Sequence, residues 1–399
     1  MTAGSPGLGG TAAGSSQPGG LREEVRAFLR DQHVQPHCDA WMTSFDPEFS
    51  RALGRRGWIG MTWPARYGGG ERSERERLVV IEELLAAGAP VAAHWFADRQ
   101  IGPALLRHGS EEQRLHYLPG IARGECFFAI GMSEPDSGSD LASIRTSARA
   151  TGSGWRLNGR KVWTTHAGQA HHLLALARTA PRDPERRHDG LSQLIVDLTA
   201  PGVEVRPIRS LDGRRHFNEV TLDDVDVPHD ALLGREGSGW QQVTAELAYE
   251  RSGPERFLST APLLWELARR RAARADQQSA DPQRADRQSD DRRSADPQIG
   301  ALIAELQTLR ALSAGIADAL QRGGAPAVEA AMVKDLGARF EAKVVDTARD
   351  LVAVEPALDS PDDLARLLAE AVLHGPDAGL RGGTTEILRG IIARELVAR

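Results

Sequence analysis

The hydrophobic period of this chain changes twice, and that limits its fold more than any single motif does. From Leu21 onward apolar residues recur at helical spacing. Leu21, Val25 and Leu29 fall at i, i+4 and i+8, and Phe49, Leu53 and Trp58 continue the pattern in a second helix. Residues 77–87 and 111–122 read as further helices, with a loop over 63–70. Between about 128 and 236 the period becomes two. There 172–177 and 191–198 read as buried strands, and 203–208 and 219–227 as half-buried ones. Short strands broken by Gly and Pro suggest a small β-barrel or sandwich. From Ser238 the pattern is helical again to the end. The expectation is an α+β multidomain chain: a disordered tail over 1–20, an N-terminal helical domain over 21–127, a central β-domain over 128–236 and a C-terminal helical bundle over 237–399.

Composition narrows the function classes. A chain of 399 residues can bury a large core in two or three domains. A formal net charge of -6 argues against nucleic acid as the main partner. The two cysteines, Cys38 and Cys126, suggest a reduced intracellular protein without a disulfide framework. His171 and His172 are adjacent on a strand and point to opposite faces, so no metal is expected there. Without an uninterrupted run of about 18 apolar residues or a signal-peptide pattern, a soluble cytoplasmic protein with no membrane partner is expected.

Two stretches about twenty residues apart carry the chemistry. The first, Gly131-Met132-Ser133-Glu134-Pro135-Asp136-Ser137-Gly138-Ser139-Asp140, gathers small residues and hydroxyls around a proline turn, where backbone amides can approach a phosphate-bearing ligand closely. The second, Asn158-Gly159-Arg160-Lys161-Val162-Trp163-Thr164-Thr165, reads as a hairpin turning at Asn158-Gly159. An indole beside a hydroxyl suits a flat ring with an apolar face and a polar edge. In this order and spacing the two stretches resemble the flavin-binding segments of the acyl-CoA dehydrogenase family, which read as MSEPxSGSD-like and NGxKxWIT-like.

The resemblance implies a helical–β–helical fold, bound FAD, and removal of two hydrogens from an acyl-CoA or acyl-carrier-protein thioester to give the 2-enoyl thioester. It assigns Ile130, Met132 and Ser133 to the flavin pyrimidine and Gly138 and Ser139 to the pyrophosphate. Trp163, Thr164 and Thr165 are assigned to the ring, and Thr384, Thr385 and Glu386 to closure over the cofactor. Ser139, Ala248, Tyr249, Arg251, Gly382 and Gly383 match acyl-thioester contacts. The family's catalytic glutamate is replaced here by Gly382, whose N–H still matches a donor to the thioester carbonyl. A replacement acid lies on the helix beginning near Ser238. Trp240, Val243, Leu247, Glu250 and Pro254 share one stripe, and some family members place the base in a Glu-Arg pair like Glu250-Arg251. Glu250 is therefore the candidate base, with Pro254 expected to kink or open the helix beside it.

The family's dimers complete each flavin site with an Arg-x-x-Phe-Gly segment and a glycine turn from the neighbouring subunit. Here the first falls at a polar repeat, 274–283 recurring as 284–298, expected to be a loop between two helices. The second falls at Leu351–Pro356 and the weak Leu373-His374-Gly375-Pro376. Both lending elements look lost, which leaves open a homo-oligomer or a mixed oligomer with a paralogous subunit. Electrons are expected to leave to an electron-transfer flavoprotein or a similar acceptor. Two rival readings are a non-catalytic or flavin-sharing subunit and a flavin monooxygenase on the same fold.

Overall fold

The computed structural model describes residues 18–279 and 289–398, and most of the tail expected over 1–20 lies outside them. The first layer is helical: α1 (Pro18–Asp31), α2 (Ala40–Thr43), α3 (Pro47–Arg55), α4 (Glu74–Ala86), α5 (Ala92–Phe96), α6 (Gly102–His108) and α7 (Glu111–Ala122). Leu21, Val25 and Leu29 of α1 are all buried, as their spacing predicts. Trp58 is buried too, but past the end of α3, where its N–H bonds back to the Leu53 carbonyl. Ser73 and Ser110 close capping boxes at the starts of α4 and α7. A π turn at Ala97–Ile101 joins α5 to α6.

Seven strands come next: β1 (Phe128–Gly131), β2 (Ser147–Ala150), β3 (Gly154–Thr165), β4 (His172–Arg178), β5 (Leu191–Asp197), β6 (Val203–Ile208) and β7 (Phe217–Pro228). They form one open, curled sheet in the order β1-β4-β2-β3-β7-β6, with β5 added to β4. The hairpin expected at Asn158-Gly159 is not there. Residues 154–165 are one continuous strand, and the Asn-Gly pair sits at a register shift against β7. The Asn158 side chain bonds both the Asp224 carboxylate and its N–H, so a strong turn signal serves a bulge instead.

The third layer comprises α8 (Gly239–Ser252), α9 (Ala261–Ser279), α10 (Ser289–Gln321), α11 (Ala327–Leu351), α12 (Asp363–Ala378) and α13 (Thr385–Ala398). The loop expected over 274–298 is helical at 274–279 and 289–298; its Ala, Arg and Gln are good helix formers. Residues 280–288 lie outside the described residues. Pro297–Gln321 of α10 is long and apolar enough to cross a membrane by length and composition alone. Its Leu302, Leu306, Leu309 and Ile316 are buried in the core that the N- and C-terminal helices share.

Candidate active site

The two glycine- and tryptophan-bearing stretches are locked together by a buried ion pair. As the chain leaves β1, the Ser133 carbonyl accepts from Val162 N–H at 2.9 Å. Lys161 Nζ donates to the Met132 carbonyl at 3.1 Å and to Glu134 Oε1 at 2.9 Å. Glu134 also accepts from the N–H groups of Arg145 and Thr146, at 2.6 and 2.9 Å. Burial pushes Lys161 down to about 8 against the pull of Glu134. Burial works to raise Glu134, yet the Lys161 ammonium and its hydrogen bonds hold it below its usual value. Removing one partner of such a pair leaves an uncompensated buried charge, a loss of about 3–5 kcal/mol.

The Lys161–Glu134 brace holds the end of β3 in place. Trp163 takes φ 59° at the second register shift of β3, and its indole is 57 % exposed, touching Phe217 edge-on at 5.7 Å. Ile130, Met132 and Ser133 are half-buried. Thr164 is buried with its hydroxyl unpartnered, and Thr165 Oγ1 donates to the Met42 sulfur at 3.6 Å. Gly138 and Ser139 are exposed just after a tight turn closed by reciprocal Glu134 and Ser137 backbone bonds.

The C-terminal residues join through Arg251, whose Nε donates to the Gly382 carbonyl at 2.8 Å. Gly382 and Gly383 take φ 69° and 103°, a conformation that a glutamate at 382 would adopt only under strain. Thr384 Oγ1 accepts from Ile387 N–H at the start of α13, with Thr385 and Glu386 in its first turn. Helix α8 does not kink at Pro254. It ends at Ser252, and Pro254 opens a separate 3-10 turn. Ala248, Tyr249 and Glu250 belong to the last turn of α8; their side chains lie outside the described residues.

Arg381 anchors the Gly382–Gly383 turn to both helical layers. Its guanidinium bonds Asp39 at 2.6 Å and Asp377 at 3.1 Å, and lies 4.8 Å from the Trp41 ring centroid. His374 bridges toward the β-domain, 3.1 Å from Asp212 and 3.8 Å from Asp39. Behind Arg381 stands Glu341 on α11, accepting from Ser259 N–H at 2.9 Å. Burial pushes Glu341 up from 4.5 to about 7, although Arg381 pulls the other way. The folded state therefore binds more protons than the unfolded between those values, and stability falls as pH rises through that window. Burial works to lower His374, yet the Asp212 and Asp39 carboxylates beside it hold it above its usual value, which acts with the same sign. Thermal melts are expected to lose on the order of 2 kcal/mol between pH 5 and 7.5, and Glu341→Gln to flatten that limb. An unchanged slope in the variant contradicts the assignment.

An open cleft of about 650 Å3 lies past the end of β3, lined by Phe45, His166, Arg214 and His216 among others. None of the predicted site residues lines it.

Comparison with known proteins identifies the arrangement. Three domain descriptions of one family match in order: acyl-CoA dehydrogenase N-terminal domain over residues 19–125, middle domain over 129–225 and C-terminal domain over 237–397. The chain belongs to the acyl-CoA dehydrogenase family. It is 33% identical over 362 residues to the acyl-CoA dehydrogenase IpdE1 of Mycobacterium tuberculosis, covering 88% of this chain and 86% of that one. It is 38% identical over 235 residues to the acyl-CoA dehydrogenase FadE34 of the same organism, a match over 58% of this chain and only 31% of that protein's length. Among solved structures, the ChsE4-ChsE5 complex from Mycobacterium tuberculosis superposes with a TM-score of 0.81 at 27% identity, covering 97% of this chain and 98% of that one.

Acyl-CoA dehydrogenases are FAD-binding flavoproteins, and FAD is the cofactor of this chain. The residues present fit it: an open indole beside half-buried Met132 and Ser133, and a buried unpartnered hydroxyl at Thr164. Trp163→Ala is expected to lower flavin retention at least severalfold without unfolding the chain, because the exposed ring contributes stacking area and little core. Flavin content after gel filtration, read with a thermal melt, checks this. Sequence reasoning missed the bracing residues Lys161, Glu134, Arg381 and Asp39. Lys161 and Glu134 both lie inside the two stretches singled out in the sequence, but nothing local pairs them.

Proposed function

We propose that this chain catalyses the FAD-dependent α,β-dehydrogenation of an acyl thioester. One contact supports the reading: Arg251, next to Glu250 in the last turn of α8, donates to the Gly382 carbonyl, which ties the helix end bearing the replacement acid to the position that lost the family's base. In this reading Glu250 takes the thioester α-proton. The Gly382 N–H donates to the thioester carbonyl and stabilises the enolate charge that develops there. Ser139, Ala248, Tyr249, Arg251 and Gly383 hold the acyl thioester. Ile130, Met132, Ser133, Gly138, Ser139, Trp163, Thr164, Thr165, Thr384, Thr385 and Glu386 hold the flavin. When bound, the flavin supplies the acceptor for the hydride that leaves Cβ. Anaerobic addition of acyl-CoA esters to the flavin-loaded protein in its native assembly tests this. Bleaching of the flavin is expected, and a full panel of thioesters that leaves it yellow rejects the reading.

A mixed assembly is the second part of the proposal. Its support is α12: Leu373-His374-Gly375-Pro376, where a glycine turn is expected for a lending subunit, is helix, with His374 half-buried against Asp212. Such a chain can hold its own flavin-facing residues and still lack what a neighbour needs. The similar structures include two-component assemblies, ChsE4-ChsE5 and the Tcur3481-Tcur3483 steroid ACAD, which agrees with this reading.

A further inference from the structure

The Gly382 N–H has no acceptor among the described residues, so it is left for a ligand. Where it points depends on how the peptide that carries it is held, and the local sequence holds that peptide poorly. Three of the five residues 379–383 are glycine, and Gly382 and Gly383 take φ 69° and 103°. Glycine loses more freedom on ordering than any other residue and favours no single direction. None of residues 379–387 is fully buried, and Leu380 is exposed, so no apolar side chain anchors the turn.

Two arginines supply the hold, one for each peptide plane that meets at Gly382. A peptide unit is planar, so its N–H turns together with the carbonyl of the residue before it. The Gly382 carbonyl lies in the plane shared with Gly383, and Arg251 fixes it at 2.8 Å. The Gly382 N–H lies in the plane shared with Arg381, whose side chain reaches inward and is only 10% exposed. Arg381 Nη1 donates to Asp39 at 2.6 Å and to Asp377 at 3.1 Å, and Nη2 donates to the Ser259 hydroxyl at 3.4 Å. The far end of this tether is firm. Asp39 is buried at φ 57°, a left-handed conformation that aspartate tolerates better than most residues. Its N–H bonds the Ser259 carbonyl at 2.9 Å, and Trp41 Nε1 bonds the Ser259 hydroxyl at 2.9 Å. Charge-assisted bonds are short and strong, so the placement of Asp39 passes through Arg381 to the peptide that follows it.

We propose that Arg381 and Asp39 are positioning residues for the reaction. They aim the Gly382 N–H at the thioester carbonyl, so losing their bond lowers turnover by weakening polarisation of that carbonyl and leaves thioester binding nearly intact. The inference rests on the dehydrogenase reading, which puts the thioester carbonyl at Gly382.

Asp39→Asn tests this, because asparagine keeps the volume and the left-handed backbone but removes the charge that holds Arg381. The full chain, in its native flavin-loaded assembly, is mixed anaerobically with hexanoyl- and octanoyl-CoA. The bleaching rate at saturating thioester is expected to fall about tenfold, a fraction of the roughly hundred- to thousandfold that loss of a whole oxyanion donor costs. The dissociation constant is expected to change less than about twofold. A second readout needs no turnover: infrared spectra of carbonyl-labelled octanoyl-CoA bound with the flavin already reduced, so that no hydride can be accepted. Binding to the unsubstituted protein is expected to lower the carbonyl stretch, and Asp39→Asn to return it toward the free value, a signature that a merely structural role does not move. Should that variant fail to fold, Arg381→Lys keeps the charge without the fork that reaches Asp39 and Asp377 together, and the same split is expected. An unchanged rate, a loss confined to affinity, or an unmoved stretch in a variant that folds overturns the positioning role, while bleaching of the unsubstituted protein keeps the dehydrogenase reading. Absence of a shift in the unsubstituted protein overturns it as well. A shift that the variant loses, in a protein that no thioester bleaches, keeps the positioning role and rejects dehydrogenation.

Discussion

Glu250→Gln is expected to lower turnover by at least about a hundredfold while leaving fold and flavin content unchanged, the usual scale for loss of a general base. Gly382 takes a φ of 69°, in a region where a glutamate is strained, so the turn itself has moved away from carrying an acid. The Gly382 peptide is then pinned by Arg251 at 2.8 Å, which ties the turn to the last residues of α8. An acid at Glu250 sits in that same last turn, one residue before the arginine. Glutamine keeps the shape and hydrogen-bonding capacity but cannot accept the α-proton at neutral pH. Thioester affinity is therefore expected to change little while turnover falls, so the loss appears in kcat and not in KM. Rapid anaerobic mixing, which tracks flavin bleaching in a single turnover, is the direct measurement. Near-normal bleaching rates in the variant would remove Glu250 from the mechanism.

The parts of this site that sequence revealed, and those it hid, separate along physical lines. Helix α1 was legible because Leu21, Val25 and Leu29 bury one stripe, and strands β4 and β5 because nearly every residue in each is buried. Trp163 was legible from its neighbours in a short local motif. The Asn158-Gly159 pair misled because the same conformational permissiveness serves a bulge inside a strand as well as a turn between two. The polar repeat misled in the opposite direction: its residues lack anything to bury but are good helix formers, so flanking helices run on into it. What stayed hidden was long-range pairing of charge. Arg99 and Glu255 are 156 residues apart, Arg381 and Asp39 are 342 apart, and each alone reads as a solvated surface residue. Burial turns such residues into structural or functional ones, and burial is a property of the assembled layers, not of any local window.

Expressed alone, the chain is expected to purify with well under one flavin per subunit, and co-expression with a paralogue that keeps the lending elements is expected to restore about one flavin per pair of chains. The pyrophosphate of FAD is anionic and needs donors beyond those of Gly138 and Ser139, which are exposed on a turn with no arginine assigned to the cofactor. Helix α12 offers a second copy of this chain little to supply them. His374 is held in the cluster with Asp39 and Asp212, and Arg381 is tied to Asp39 and Asp377 beneath the Gly382 turn. Meanwhile Leu380, 65 % exposed, and Ile387, 40 % exposed, flank the Gly382–Gly383 turn, so apolar surface beside the site stands open in the single chain. A closed twofold dimer of identical chains would repeat the same shortage at both sites, because an isologous interface gives each copy only what the other has. A mixed pair escapes that limit. Absorbance of the bound flavin against protein concentration, combined with native mass, measures both stoichiometry and composition. Full flavin occupancy and full thioester bleaching in an assembly made of this chain alone would refute the need for a second subunit.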